Sequence, residues 1–263
     1  MIPGVSGSVL GYHTLARLLG PDQPIYGLQS RGLDGTVAPL TQIEDIAASY
    51  ITEIRDVRPD GPYHLVGLCM GGVVAYEMAQ QLHAAGQEVA LLGLIETWPP
   101  ETASSVGPQR AARVPAVLRF MAERLRPYVE TVRRLRGRER LRYLVGRLKV
   151  LAEIAVKRDL PRGARGELTH YAVAQANMHA LQRYTPRPYP AAVVLFCAEG
   201  RPAAPGADPR LAWRELALGG VDVRTAPGDD SGLMLTEPHV HALATQLRHC
   251  LDRAQMAPPS GRA

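Results

Sequence analysis

The chain has 263 residues, of which 46% are hydrophobic and 21% charged, and its formal net charge is +5. This length favours one large domain with a substantial core over two small ones. No apolar run approaches the roughly 18 residues of a membrane-spanning helix, so we expect no membrane association. Its three cysteines, at positions 69, 197 and 250, form neither a disulfide framework nor a metal-binding pattern. We therefore expect a reducing compartment, the bacterial cytoplasm, and no bound metal.

Positive charge is concentrated in one segment. Residues 110–165 contain 17 Lys and Arg against five Asp and Glu, a local net charge of +12, while the rest of the chain carries −7. Such a segment can bind an anionic ligand or an acidic partner protein, or it can be a solvated helical face. No nucleic-acid-binding motif accompanies the charge, so we expect no nucleic-acid partner.

Short apolar runs alternate with helical periodicity along most of the chain. In chain order the pattern predicts a helix at 11–19, a strand at 24–29, a helix at 41–57, a strand at 63–68, a helix at 70–85, strands at 89–95, 192–198 and 221–225, and a helix at 237–252. This alternation indicates an α/β fold, with a mostly parallel sheet and helices on both faces. Because ligand sites lie beyond the carboxyl ends of such strands, we expect Cys69, Glu96 and the loop 226–235 at one edge.

Residues 101–185 interrupt the alternation. The segment has no convincing strand, and its helical stretches are broken by Pro108, Pro115, Pro127 and Pro161. We interpret it as a helical lid inserted between two strands, so that residues 1–263 form a single domain.

Residues 67–71 read Gly-Leu-Cys-Met-Gly, between a predicted strand and a predicted helix. A Gly-x-Ser-x-Gly sequence in this context is typical of a nucleophile elbow, and here Cys69 stands in place of the serine. The helix N-terminus favours the thiolate form of a cysteine. A lone cysteine is more often a buried, inert residue, but strand, glycines and helix together indicate that Cys69 is a nucleophile.

An acyl intermediate on Cys69 needs N–H donors for its oxyanion. The N–H of Met70 is one candidate. A second is Val5 in the glycine-rich stretch 2–9, unless that stretch is an ordinary loop. Glu96 ends the next strand, where a carboxylate can orient the base of a triad or can simply be solvated.

Four stretches of the chain, at 15–35, 61–97, 183–200 and 235–247, resemble the type I thioesterase domains that end nonribosomal peptide and polyketide assembly lines. The resemblance implies an α/β-hydrolase fold, with Glu96 where the family usually has aspartate. It implies a peptidyl substrate delivered on the phosphopantetheine of an upstream carrier protein, with no cofactor bound to the domain itself. The first strand is nearly absent before "IPG", so we expect the natural chain to continue upstream, towards a carrier domain.

One departure from the family pattern concerns the base. The family's loop reads Pro-Gly-Asp-His, whereas residues 227–230 read Pro-Gly-Asp-Asp. Asp230 therefore occupies the position of the catalytic histidine, or Ser231 does if the register is kept from Pro238, and neither is a neutral imidazole base. His170 shares a helical face with Asn177 in the predicted lid, and it is our candidate for a relocated base or, alternatively, a packing residue.

A thiol depends less on a histidine than a hydroxyl does, because a few per cent is thiolate at about pH 7. The resemblance is greatest to cysteine-bearing members that close strained rings, such as the monobactam-forming thioesterases. We therefore expect release by intramolecular attack, giving a β-lactam or β-lactone. Two alternatives stay open. One is a hydrolytic or macrocyclising thioesterase, engineered at residue 69 or 230 in one variant. The other is an inactive domain that docks a carrier protein.

Overall fold

The computed structural model describes residues 1–100, 162–200, 209–228 and 231–256. The chain divides into two compact units, one formed by Met1–Pro100 with Gly166–Ala263 and the other by Glu101–Arg165. Most of the predicted lid and the whole of Asp230 lie outside the described residues. Residues 166–185, which we assigned to the lid from the sequence, belong to the first unit.

The secondary structure of the described residues follows the predicted alternation. Its elements are α1 (His13–Leu18), α2 (Ile43–Val57), β1 (Tyr63–Leu68), α3 (Met70–Ala84), β2 (Val89–Ile95), α4 (Arg162–Arg183), β3 (Val193–Ala198), α5 (Pro209–Trp213), β4 (Val221–Ala226), α6 (Ser231–Met234) and α7 (Val240–Met256). A short 3-10 turn, Leu10–Tyr12, precedes α1. The predicted bounds of β1 and β2 are confirmed to the residue.

The four strands form one sheet in the order β1-β2-β3-β4, and every neighbouring pair is parallel. β1 and β2 are rich in Leu, Val and Ile and are largely buried, as parallel strands covered on both faces are. All four carboxyl ends lie at the same edge. Cys69 follows β1 and Glu96 follows β2, so both residues are at this edge, as predicted.

Two apolar clusters cover the two faces of the sheet. One contains residues of α2 and α3, including Ile43, Tyr50 and Tyr76. The other contains residues of α1 and α7, including Leu15 and Leu247. The predicted parallel sheet with helices on both faces is therefore confirmed.

The predicted strand at 24–29 is wrong. The structure has no strand in this segment. Among the described residues, two backbone bonds tie it to Met1: Met1 N donates to Tyr26 O at 2.6 Å and Leu28 N donates to Met1 O at 3.0 Å. A strand is defined by a continued ladder of such bonds. These two bonds do not make such a ladder.

Candidate active site

Cys69 lies in the sharp turn between β1 and α3, and its side chain is exposed. Its backbone has φ 52° and ψ −118°, a region that residues with a Cβ adopt only under strain. Hydrogen bonds hold this conformation from both sides. The Cys69 N–H donates to Ile95 O at 2.8 Å, and the Thr97 hydroxyl donates to Cys69 O at 3.1 Å.

Two glycines permit this turn by close packing. A Cβ on Gly67 would lie 2.1 Å from Gly71 O, and a Cβ on Gly72 would lie 2.0 Å from Thr97 Oγ1. No real Cβ atom fits at such distances, so the strand and the helix can approach only because these residues lack one. The geometry therefore has the features of the predicted nucleophile elbow.

The two oxyanion-hole candidates lie beside Cys69. Met70 is the first residue of α3, so its N–H has no acceptor within the helix. Residues 4–7 form a turn in which Gly7 N donates to Gly4 O at 2.9 Å. A Cβ on Gly4 would lie 3.9 Å from Cys69 Cβ, which places the loop that carries Val5 next to the thiol. Their role as oxyanion donors is still a prediction.

Two side chains that the sequence did not identify hold this loop. The hydroxyl of buried Tyr12 donates to Ile2 O at 2.7 Å, and the side-chain amide of buried Asn177 donates to Val5 O at 3.0 Å. Burial raises the pKa of Tyr12 above its ordinary value, and the nearby Cys69 adds to this. The hydroxyl therefore stays a neutral donor. In the sequence, the only indication of either role was that Asn177 shares a helical face with His170.

Glu96 is 8% exposed, and its backbone also has a positive φ, 44°. Its N–H donates to Phe196 O at 2.9 Å, and its Oε1 accepts a 2.6 Å hydrogen bond from Ala198 N–H. Cys69 and Glu96 are the two described non-glycine residues with positive φ. Such strain in a folded protein is concentrated at functional sites, and the carboxylate is fixed by β3 rather than free in solvent.

His170 lies in α4 and is partly buried. The helix packs on the loops around it: a Cβ on Gly7 would lie 2.8 Å from Val173 Cγ1, and one on Gly35 would lie 3.3 Å from Thr169 Oγ1. Val173 and Asn177 are one and two turns beyond His170, on the same helical side. The assignment of His170 as the base stays a prediction. Ser231, the alternative to Asp230 at the histidine position, begins α6.

Among the described residues, no group of three or more His, Cys, Asp or Glu side chains is arranged to hold a metal ion. In the same part of the chain, no helix is both long enough and apolar enough to cross a membrane.

The family model of the thioesterase domain matches residues 1–250. The chain belongs to this family. Thioesterase domains of solved structure share its fold. The NocB thioesterase domain from the nocardicin cluster, in a covalent complex with a fluorophosphonate nocardicin G analog, is 25% identical with a TM-score of 0.64, over 95% of this chain and 92% of that one. A four-domain nonribosomal peptide synthetase bound to AMP and glycine has a TM-score of 0.68 at 24% identity, over 98% of this chain and 19% of that one. These similarities confirm the predicted α/β-hydrolase fold.

Curated relatives of this thioesterase domain are much longer proteins. Enterobactin synthase component F of Escherichia coli (strain K12) is 36% identical over 97 residues, which are 37% of this chain and 8% of that protein. The dimodular nonribosomal peptide synthase of Bacillus subtilis (strain 168) is 46% identical over 88 residues, 34% of this chain and 4% of that protein. Vanchrobactin synthetase VabF of Vibrio anguillarum is 38% identical over 107 residues, 41% of this chain and 4% of that protein. The chain thus matches less than a tenth of the length of each.

Proposed function

We propose that this chain is the product-releasing thioesterase domain of a nonribosomal peptide assembly line. Cys69 is its nucleophile, the substrate is a peptidyl thioester on the phosphopantetheine of an upstream carrier protein, and release closes a strained β-lactam or β-lactone ring. The observation that carries the proposal is the exposed thiol of Cys69 in a strained elbow at the N-terminus of α3. The similarity to the dimodular nonribosomal peptide synthase of Bacillus subtilis and to a four-domain nonribosomal peptide synthetase of solved structure supports the choice of substrate.

The first chemical step is transfer of the peptidyl group to sulfur. The Cys69 thiolate attacks the thioester carbonyl, and the oxyanion accepts hydrogen bonds from the N–H groups of Val5 and Met70. Collapse of the tetrahedral intermediate breaks the bond to the phosphopantetheine sulfur. That sulfur leaves as a thiol, taking the proton that Cys69 lost.

The second step is release from Cys69. A nitrogen or oxygen nucleophile within the peptide attacks the acyl-enzyme carbonyl, the ring bond forms, and Cys69 regains a thiol. A thioester keeps more of the activation of the carrier-bound substrate than the oxygen ester of a serine would. That driving force matters for a strained ring and is not needed for hydrolysis, so a cysteine favours ring closure over the hydrolytic or macrocyclising alternative.

The base for the internal nucleophile is His170 in this proposal. It is on α4, the helix that also carries Asn177, the donor to Val5 O. Glu96, whose carboxylate accepts a hydrogen bond from Ala198 N–H, is the triad acid in this proposal. We expect His170→Ala to slow turnover by about a hundredfold or more, with Cys69 acylation affected less than release. A near-normal rate of release would contradict the assignment.

The test is intact-mass labelling of the domain with a peptidyl phosphopantetheine mimic that ends in a β-amino or β-hydroxy residue. We expect a stable acyl adduct that Cys69→Ala abolishes and Cys250→Ala, at a buried cysteine remote in sequence, leaves unchanged. Product analysis then separates the ring from the free acid. A chain that never forms the adduct would instead be the inactive carrier-docking domain, and a free acid as the sole product would favour the hydrolytic alternative.

A further inference from the structure

A carboxylate that the proposed chemistry does not use is buried in the middle of α3. Glu77 is 2% exposed, and the burial of a charged side chain is unfavourable unless hydrogen bonds replace its water. Glu77 lies eight residues beyond Cys69, about two helical turns into the helix that begins with the proposed oxyanion donor Met70. The donors to this carboxylate come from other parts of the chain, which it therefore holds together.

Three described side chains donate hydrogen bonds to the Glu77 carboxylate. The Tyr184 hydroxyl donates to Oε2 at 2.7 Å, and the side-chain amide of Gln80 donates to Oε2 at 3.3 Å. The Gln81 amide donates to Oε1 at 2.9 Å and also to Glu44 O of α2 at 3.1 Å. The group thus joins α3 to α2 and to the end of α4. We call it the Glu77 clamp, and its members are Glu77, Gln80, Gln81 and Tyr184.

The bond from Tyr184 is the shortest contact in the clamp. A hydroxyl that donates to a carboxylate makes a strong, charge-assisted bond, and here the hydroxyl also accepts a 3.1 Å hydrogen bond from the Gln80 amide. Burial, and after it the bond to Glu77, raises the pKa of Tyr184 above its ordinary value, so the hydroxyl stays a neutral donor. The Arg187 guanidinium is farther away, 3.9 Å from Oε1, and its side chain is largely exposed. Tyr184 is therefore the main connection between the carboxylate and α4.

Tyr184 lies on the same side of α4 as two residues of the candidate site. It directly follows the helix, seven residues beyond Asn177, which is itself seven residues beyond His170. Seven residues are almost two turns of an α-helix, so the three side chains follow one line, at intervals of about 10.5 Å. This line has the Glu77 clamp at one end and the proposed base at the other, and Asn177 lies between them.

Asn177 connects the position of α4 to the loop beside Cys69. Its side-chain amide donates to Val5 O at 3.0 Å. Because a packed helix transmits displacement along its length, a shift at Tyr184 also shifts Asn177 and the peptide it holds. A misplacement of about 1 Å near reacting atoms can lower a rate by about 10²-fold. The clamp is therefore close enough, through one helix and one hydrogen bond, to affect catalysis.

We propose that Glu77 and Tyr184 are positioning residues for the acyl-transfer step, because the Glu77 clamp fixes α4 on α3. Both donors of the proposed oxyanion hole are then aligned by the same helix. Met70 begins α3, and Val5 is connected to α3 through Asn177 and the clamp. The inference rests on the proposed function, since it concerns the first step of that chemistry.

The test compares one substitution at two buried tyrosines of the full chain. Tyr184→Phe removes the hydroxyl that donates to Glu77. Tyr63→Phe is the matched control, because the Tyr63 hydroxyl donates to Arg58 O at 2.9 Å and to Pro59 O at 3.0 Å, both outside α4. Each substitution removes a hydrogen-bonded hydroxyl, so each should lower the thermal midpoint by about 2–5 °C. A general loss of stability is therefore matched between the two variants.

The readout is the ratio of two rates at Cys69. Acyl transfer from the peptidyl phosphopantetheine mimic forms an oxyanion, and alkylation by iodoacetamide does not. We expect Tyr184→Phe to lower the ratio of acyl transfer to alkylation by at least about fivefold, and Tyr63→Phe to change it by less than about twofold. In the Asn177→Ala background, Tyr184→Phe should lower the ratio by less than about twofold further, because independent effects would multiply.

Two substitutions of Glu77 test the clamp from the side of α3. Glu77→Gln keeps an oxygen that accepts the Tyr184 hydroxyl, so the ratio should stay within about twofold of that of the parent chain. Glu77→Ala removes the acceptor and should lower the ratio at least as much as Tyr184→Phe does. Equal ratios for Glu77→Gln and Glu77→Ala would contradict the positioning role.

Amide exchange of Gly7 tests the clamp without a substrate. Gly7 N–H donates to Gly4 O in the loop, and a Cβ on Gly7 would lie 2.8 Å from Val173 Cγ1 of α4. A loosened α4 should therefore speed exchange of Gly7 by at least about threefold in Tyr184→Phe, and the Tyr63→Phe control should not change it.

Two kinds of failure are distinguishable. If the parent chain forms the adduct at Cys69 but Tyr184→Phe changes neither the ratio of rates nor the exchange of Gly7, the clamp has no positioning role and the proposed function stands. If the parent chain forms no adduct, the proposed function is wrong, and with it the role of the clamp in acyl transfer.

Discussion

The side-chain amide of Asn177 donates a 3.0 Å hydrogen bond to the backbone carbonyl of Val5, 172 residues away in the sequence. This bond joins α4 to the loop that lies against Cys69. Asn177 is 4% exposed, so its amide has little access to water as a substitute partner. Because the peptide planes of this loop set the direction of the Val5 N–H, we infer that Asn177 is a positioning residue for the proposed oxyanion donor Val5.

We expect Asn177→Ala to slow acyl transfer to Cys69 while leaving alkylation of the same thiol unchanged. Its cost in stability should be about 1–3 kcal/mol, since it leaves a buried carbonyl without its donor. Acyl transfer from a thioester should slow by at least about tenfold, as one oxyanion donor is worth about 10²–10³ in rate. Alkylation of Cys69 by iodoacetamide passes through no oxyanion and should keep its rate. The control is Gln175→Ala, at an exposed position of the same helix, and an equal fall in both rates would contradict the positioning role.

A second prediction separates the structural and electrostatic roles of Glu96. Its Oε1 accepts a 2.6 Å hydrogen bond from Ala198 N–H, and glutamine keeps an oxygen acceptor there. Glu96→Gln should therefore cost less than about 1 kcal/mol in the free energy of unfolding, whereas Glu96→Ala should cost about 1–3 kcal/mol. If the carboxylate supports the base, both variants should lose about 10²–10⁴ in turnover. Urea unfolding and single-turnover release measure the two quantities, and an active Glu96→Gln would remove Glu96 from the mechanism.

Some of these features could be predicted from the sequence because they are local. β1 and β2 are unbroken apolar runs, and the elbow is five consecutive residues with glycine at both ends, so Cys69, Met70 and Glu96 could be assigned to one edge of a sheet. Asn177 and Tyr12 could not be given roles, since each acts through a side-chain bond to a backbone carbonyl outside its own helix, at Val5 and Ile2. Periodicity identifies the buried side of a helix but not the group it contacts. The prediction of a strand at 24–29 was wrong for a related reason. Its apolar pattern is that of a strand, but a strand also needs a neighbouring strand with which to form a ladder of hydrogen bonds.

The third prediction concerns packing at the elbow and uses one substitution at two sites. A Cβ at Gly72 would lie 2.0 Å from Thr97 Oγ1, whose hydroxyl bonds Cys69 O and Ile95 O and so cannot move away at low cost. Gly72→Ala should destabilise by about 1–3 kcal/mol and lower the rate of Cys69 acylation. Gly166, in α4, is exposed, and a Cβ there meets no described atom within 4 Å. Gly166→Ala should stabilise by up to about 1 kcal/mol. If urea unfolding shows that Gly72→Ala and Gly166→Ala change the free energy of unfolding in the same direction, the packing described for the elbow is contradicted.

The fourth prediction is a pH dependence that arises at His64, in β1. The imidazole of His64 is half-buried, and no described residue provides a hydrogen-bond partner for its enclosed Nε2. Burial, and after it the charge of Arg58, lowers the pKa of His64 below its ordinary value. Glu53 and Glu88 line the same pocket as His64, but the net effect on His64 is still a lowered pKa.

The sign of the effect follows from which state binds the proton first. Unfolded His64 binds a proton near pH 6.5, and the folded protein binds it only at lower pH, so the free energy of unfolding should fall as the pH drops below about 6.5. His64→Leu should remove this part of the pH dependence. It should also leave the stability at pH 7.5 equal to or above that of the parent chain, because it removes a buried Nε2 for which no described residue is a hydrogen-bond partner. Urea unfolding at pH 7.5 and 5.5 measures the stability and its pH dependence. The control is His13→Gln, at an exposed histidine. If His64→Leu loses as much stability on acidification as the parent chain does, His64 is not the group responsible.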